Sequence, residues 1–175
     1  MNLRTFWIIW AALLGSLPIY GVVAFTAAPP SGEGNLSPFF FALLAAAMGS
    51  TVMSFVLPAV MRRRSLKEAN FEVEEVEDRT KEVMFRDMPP RIRQLANVED
   101  VQRRVIPLWW TPFILELALS ESVAIYGLVL AFVGFPAPLW IPFSILAAIL
   151  MLMRMPLEGR IRRAVERATD ARWPS

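Results

Sequence analysis

Cysteine and histidine are both absent from this 175-residue chain. Their absence excludes disulfides and thiol chemistry, and it removes the sulfur and imidazole ligands on which most transition-metal sites depend. No segment brings a nucleophile together with a base, and none has the glycine-rich pattern that cradles phosphate. We therefore expect no enzymatic activity, no metal and no cofactor. Charge is also scarce: 19% of residues are charged against 55% hydrophobic, and the charges gather into two blocks. The net charge of +2 follows from that arrangement and does not point to nucleic acid.

Between the charged blocks lie four apolar stretches, roughly Thr5 to Thr26, Pro38 to Met61, Leu108 to Phe132 and Leu139 to Met155. A helix crossing about 30 Å of hydrocarbon needs roughly 20 apolar residues at about 1.5 Å each. The fourth stretch, of 17 residues, has to stand nearly upright or borrow length from its flanks. The first could instead be a signal peptide, with Ala27 and Ala28 after the apolar run, but it is longer than the usual h-region of roughly 7–15 residues. The partner this composition implies is the lipid bilayer, and the expected location is a bacterial inner membrane.

Orientation follows from the basic residues, which resist translocation when they lie near a span. Arg4 precedes the first span, eleven Lys and Arg lie between Arg62 and Arg104, and six lie from Arg154 to Arg172, which accounts for all eighteen. The two remaining connections, Ala27 to Ser37 and Val133 to Pro138, carry no basic residue and one acid, Glu33. They are expected outside, with both termini cytoplasmic. Trp7, Trp10, Trp109, Trp110 and Trp140 fall at span ends, where amphipathic rings prefer to sit.

The chain also repeats. With a constant offset of 106, Thr5 to Val23 and Thr111 to Val129 agree at nine of nineteen positions, among them Ser16, Tyr20 and Gly21 of the first copy. The second and fourth spans match more loosely, through Leu44, Ala45 and Ala46 against Leu146, Ala147 and Ala148. The fold class expected is thus an all-α membrane protein, four transmembrane helices arranged as two repeated hairpins, with a cytoplasmic helical loop. The divisions are residues 1–61 and 108–155 for the hairpins, 62–107 for the loop and 156–175 for a basic cytoplasmic tail. Within the loop, the charged run from Arg62 to Met88 is expected to continue the second span as a helix, broken by Pro89 and Pro90. Ile92, Leu95, Val98, Val101 and Val105 then recur at helical spacing, predicting an amphipathic helix for the membrane surface or a partner. The plainer alternative is a solvated connector.

Charges inside a bilayer cost roughly 2.5–3.5 kcal/mol each on insertion scales, so those that persist need a reason. Glu116 and Glu121 both lie in the third span, Glu121 near its midpoint and Glu116 closer to the cytoplasm and about 140° round the helix. Glu121 is expected to be mostly neutral, releasing its proton only beside water or a cation. From Leu119 to Phe132 the chain reads Leu-Ser-Glu-Ser-Val-Ala-Ile-Tyr-Gly-Leu-Val-Leu-Ala-Phe. This run resembles the carboxylate-bearing helix of the c subunit, or proteolipid, of rotary F-type and V-type ATPases. The resemblance implies that Glu121 carries a proton or sodium ion, that Ser122 supplies a hydroxyl ligand and that Tyr126 locks the carboxylate, in a homo-oligomer. The long loop, the lack of repeated glycines and the missing glutamine depart from the family pattern, and Gly15 stands where the first copy would carry a second carboxylate. The alternative for Glu121 is structural: a carboxyl hydrogen-bonded to Ser50, Thr51, Ser54 or Ser144 of a neighbouring span. Ala46, Gly49 and Ser50 offer a small-residue face for close helix packing. Two functions stand side by side: an accessory subunit that docks other membrane subunits through its loop, and a c-like ion-translocating proteolipid.

Overall fold

The computed structural model describes residues 3–29, 37–69, 71–77 and 91–173. Five helices and a two-stranded sheet follow in the order α1 (Arg4–Ala27), α2 (Pro38–Glu68), β1 (Val73–Glu77), β2 (Arg91–Leu95), α3 (Val98–Phe132), α4 (Ala137–Met153) and α5 (Glu158–Thr169). α1, α2 and α3 are each long and apolar enough to cross a membrane, and α4 makes a fourth only when counted together with α5 across the short break between them. Pro18, Pro58 and Pro142 lie inside α1, α2 and α4. Membrane helices tolerate such prolines because neighbouring groups re-satisfy the freed backbone.

The chain forms two compact units. The larger comprises Asn2–Ala59 and Pro112–Pro156, and so holds α1, most of α2, the second part of α3, and α4. In it α1 runs antiparallel to α4: the Trp10 indole donates to the Met151 carbonyl at 2.8 Å near one end, and the Phe25 and Trp140 rings meet at 4.9 Å near the other. α1 runs parallel to α3, since Phe6 meets Phe113 edge-on at 5.1 Å and residues further along α1 meet Glu121. The most enclosed apolar helix is α3, with 44% of its apolar window buried against 17% for α1 and 11% for α2.

The α3–α4 connection turns on Gly134, whose φ of 92° lies in the left-handed region, while Gly134 N–H and Phe135 N–H close the end of α3 on the Ala131 and Leu130 carbonyls. Helices approach closely at Gly127: a Cβ there would fall 2.8 Å from the Phe143 Cβ and 2.9 Å from the Trp140 carbonyl oxygen.

The smaller unit comprises Val60–Thr111 and Leu157–Ser175. β1 and β2 pair antiparallel in the register Val73 to Leu95 and Val76 to Ile92. Arg172 joins the other side of β2, receiving a bond from Leu95 N–H and donating its own N–H to the Arg93 carbonyl. α3 begins at an Asn97 cap that accepts the Asp100 N–H at 3.1 Å, with Glu99 and Asp100 in the first turn favouring the helix dipole. α5 is amphipathic. It buries Ile161 and Val165, one turn apart, and the unit also buries Leu66, Leu95, Val101, Val105, Trp109 and Ala171.

Several expectations for the polar segments change here. The helix expected from Arg62 onward stops at Glu68, and β1 follows, where the β-branched Val73 and Val76 pair with Leu95 and Ile92 of β2. Residues 78–88 of that expected helix lie outside the described residues. The amphipathic helix expected over residues 92–105 is two elements: Ile92 and Leu95 lie on β2, whereas Val98, Val101 and Val105 lie on α3. The fold is therefore helical with one small sheet, and the expected basic tail contains an ordered helix, α5. Trp10, Trp109 and Trp140 are buried within their units.

Candidate functional site

The buried polar and charged side chains among the described residues are four: Ser54, Glu116, Ser120 and Arg154, each at most 2% exposed. All belong to the larger unit. Arg154 caps the C-terminus of α4 and turns its guanidinium inward. One terminal nitrogen bonds to the Ser120 hydroxyl and, at 3.2 Å, to the Leu150 carbonyl. The other reaches the hydroxyl and carbonyl of Ser54 at 2.6 and 3.2 Å. The guanidinium plane also lies over the Phe55 ring, 4.7 Å from its centre.

Both hydroxyls are held ready for this role by the backbone. Ser54 donates its proton to the Thr51 carbonyl at 2.6 Å, and Ser120 donates to the Glu116 carbonyl at 2.6 Å. Their lone pairs are left to accept from arginine, a planar fork of donors that suits two acceptors on different helices better than a lysine would. Arg154 thereby ties α4 to both α2 and α3. Glu116 lies one turn from Ser120 on the same face of α3 and is likewise buried.

Glu121 is met from α1. The Tyr20 phenol donates to Glu121 Oε1 at 2.6 Å, and the Ser16 hydroxyl lies 3.0 Å from the same oxygen. Ser16 also lies 2.7 Å from the Leu13 carbonyl, so it shares one proton between two acceptors and Tyr20 is the stronger donor. The hydroxyls expected to hold Glu121, those of Ser50, Thr51, Ser54 and Ser144, are not its partners among the described residues; Thr51 bonds the Ala47 carbonyl within α2. Ser122 donates to the Leu119 carbonyl of its own helix, and Tyr126 lies 3.3 Å from Ser50 of α2 rather than on Glu121.

Ser16 and Tyr20 stand 106 residues before Ser122 and Tyr126. Glu121 thus meets a serine and a tyrosine of α1 in place of the serine and tyrosine of its own helix. No family model, no curated protein and no solved structure matches this chain.

Viewed down its axis, α3 directs polar groups to three sides. At about 100° per residue, Ser120 and Glu121 are separated by about 100°, and Glu121 and Tyr126 by about 140°. Glu121 engages α1, Tyr126 engages α2, and Ser120 engages Arg154 at the end of α4. The expected packing face on α2 is only partly used: Ala47 is buried, Ala46 and Ser50 are half-buried, and Gly49 is exposed with nothing within 4 Å of a Cβ placed there. The glycine that permits close approach is Gly127. Sequence reasoning missed it because Gly21 and Gly127 both follow an Ile-Tyr pair, and only Gly127 meets a facing helix.

Proposed function

We propose that the chain is an integral membrane protein that crosses the bilayer four times and serves as a structural, accessory subunit of a larger membrane assembly. Both termini and the smaller unit lie on the cytoplasmic side in this reading, because every Lys and Arg falls before the first span, between the second and third, or after the fourth. The observation that carries the structural role is the way the polar groups of the larger unit meet one another. Tyr20 and Ser16 meet Glu121, Tyr126 meets Ser50, and Ser54 and Ser120 meet Arg154. Contacts of this kind fix helix register in a medium that offers no hydrophobic drive for helices to associate. The smaller unit then supplies the docking surface, with exposed Glu74, Glu75 and Val76 on its sheet.

Purification of the full chain in mild detergent tests this reading. Companions should co-migrate, and Glu74→Lys with Val76→Asp should release them while the protein stays inserted. Ile92, Leu95 and Val98 are poorer probes, because Leu95 is 2% exposed and its replacement would damage the unit itself. Recovery of the wild-type chain as a lone monomer would overturn the proposal.

A second reading is favoured by one observation, the carboxyl that receives a tyrosine phenol and a serine hydroxyl. In it the chain is a c-like proteolipid that moves protons, or sodium, through Glu121 in a homo-oligomer. Glu121→Gln keeps the shape and removes the exchangeable acid. An ion carrier would assemble normally and lose all flux in proteoliposomes, and dicyclohexylcarbodiimide would label Glu121 in the wild type. Unchanged activity in Glu121→Gln ends this second reading.

A further inference from the structure

The apolar face of α5 is already occupied, since Ile161 and Val165 are buried in the smaller unit. Its opposite face is basic, with Arg162, Arg163 and Arg167 exposed. Beside that face runs a groove of about 780 Å³ whose walls include Arg93 of β2, Arg163 and Arg167 of α5, and Arg172 and Trp173 beyond it. Two acids share the groove. Glu166 is engaged by the Trp173 N–H at 3.1 Å, and Asp170 sits at the end of α5 in a left-handed conformation with φ of 51°. Four guanidinium groups therefore face two carboxylates. Arg163 anchors its Nε on the Gly159 carbonyl at 3.0 Å, which leaves the donors of its terminal nitrogens out of that bond. Arg162 stacks over Trp173, with its guanidinium carbon 5.3 Å from the ring centre, and so braces the aromatic wall.

We propose that this groove binds the phosphate headgroup of an anionic membrane lipid. Arginine forks match phosphate oxygens in a paired geometry that a point charge cannot reproduce. A lipid source is favoured over a dissolved anion by the chain itself. Glu158 follows Met153 by five residues, so α5 starts within about 18 Å of the end of the apolar helix α4. Basic segments placed just beyond a span are attracted to anionic headgroups. The proposal rests on the membrane reading above and adds to it a specific ligand class for the smaller unit.

The test uses full-length protein in detergent, mixed with equal amounts of phosphatidylglycerol and phosphatidylcholine, and counts lipids retained by native mass spectrometry. The wild type should retain phosphatidylglycerol preferentially, and Arg93→Gln, Arg163→Gln and Arg167→Gln together should abolish the preference, at about fivefold per arginine removed. A control triple, Arg63→Gln, Arg64→Gln and Arg103→Gln, removes three exposed arginines outside the groove and should keep the preference. Equal loss in both triples would show diffuse attraction to positive charge and overturn the site. Displacement of the lipid by the same concentration of inorganic phosphate would overturn the lipid assignment. So would a preference untouched by the groove triple while that triple releases an acidic companion protein. If the groove triple melts below the wild type, Arg167→Gln alone is read against Arg103→Gln. Carbonate extraction separates the two levels: a chain washed off the membrane refutes the spanning reading, whereas an inserted chain without lipid preference refutes the groove alone.

Discussion

Replacing Tyr20 by Phe removes one hydroxyl and leaves the ring, which makes it the sharpest probe of how α1 is held on α3. Interhelical hydrogen bonds in membrane proteins average about 0.6 kcal/mol and reach about 1.7 kcal/mol. The Tyr20–Glu121 bond, at 2.6 Å and with its proton undivided, belongs near the top of that range. The Ser16 contact is longer, at 3.0 Å, and shares its proton with Leu13, so it belongs near the bottom. A double-mutant cycle of Tyr20→Phe with Glu121→Gln, read from unfolding of the purified protein in mixed detergent, should give a coupling of about 1–1.7 kcal/mol. The same cycle with Ser16→Ala should give half or less. A cycle with Tyr126→Phe should give a coupling indistinguishable from zero, because Tyr126 lies on Ser50. A larger coupling for Tyr126 than for Tyr20 would refute the pairing of Glu121 with α1.

Further outcomes follow from close contacts elsewhere. Gly127→Ala should destabilise the larger unit by about 1–3 kcal/mol through overpacking against Phe143 and Trp140, while Gly49→Ala, which meets nothing within 4 Å, should leave the melting temperature unchanged. Arg154→Lys keeps the charge but cannot hold Ser54 and Ser120 together. It should cost about 1.5–3 kcal/mol, one hydrogen bond to a charged group, in the same unfolding assay. Val165→Ala opens the fully buried face of α5 and should cost the smaller unit about 1–3 kcal/mol. Limited proteolysis should then cut within residues 157–175 faster than in the wild type, and equal rates would contradict the packing described for α5.

The apolar helices were legible because length and composition suffice to mark them: α1, α2 and α3 contain the first three stretches read from the sequence, and α4 overlaps most of the fourth, starting two residues before it. The polar segments were not, for identifiable reasons. Glu72, Glu75 and their neighbours fit a charged helical face, but Val73 and Val76 gain more by pairing with Leu95 and Ile92, and those partners lie about twenty residues away, where no local pattern can reveal them. Leu95 and Val101 sit at helical spacing in the sequence, yet a strand and a helix bring them to the same buried core.

At the site, Glu121 could be singled out from its place in an apolar run, and a serine and a tyrosine as its partner types from the proteolipid resemblance. Their identities could not, because hydroxyls at 16 and 122, or 20 and 126, are equivalent in sequence and only helix packing distinguishes them. Arg154 looked like one more flanking cation. Its inward turn depends on Ser54 and Ser120, which lie 100 and 34 residues away.

The most direct test of the account is the topology of the chain in its own membrane. Reporter fusions after Gly34 and Ala137 should read outside, and fusions after Glu77 and Ser175 should read inside, as the one-sided placement of all eighteen basic residues requires. An inside signal after Gly34, or an outside signal after Ser175, would contradict the proposed four-span topology.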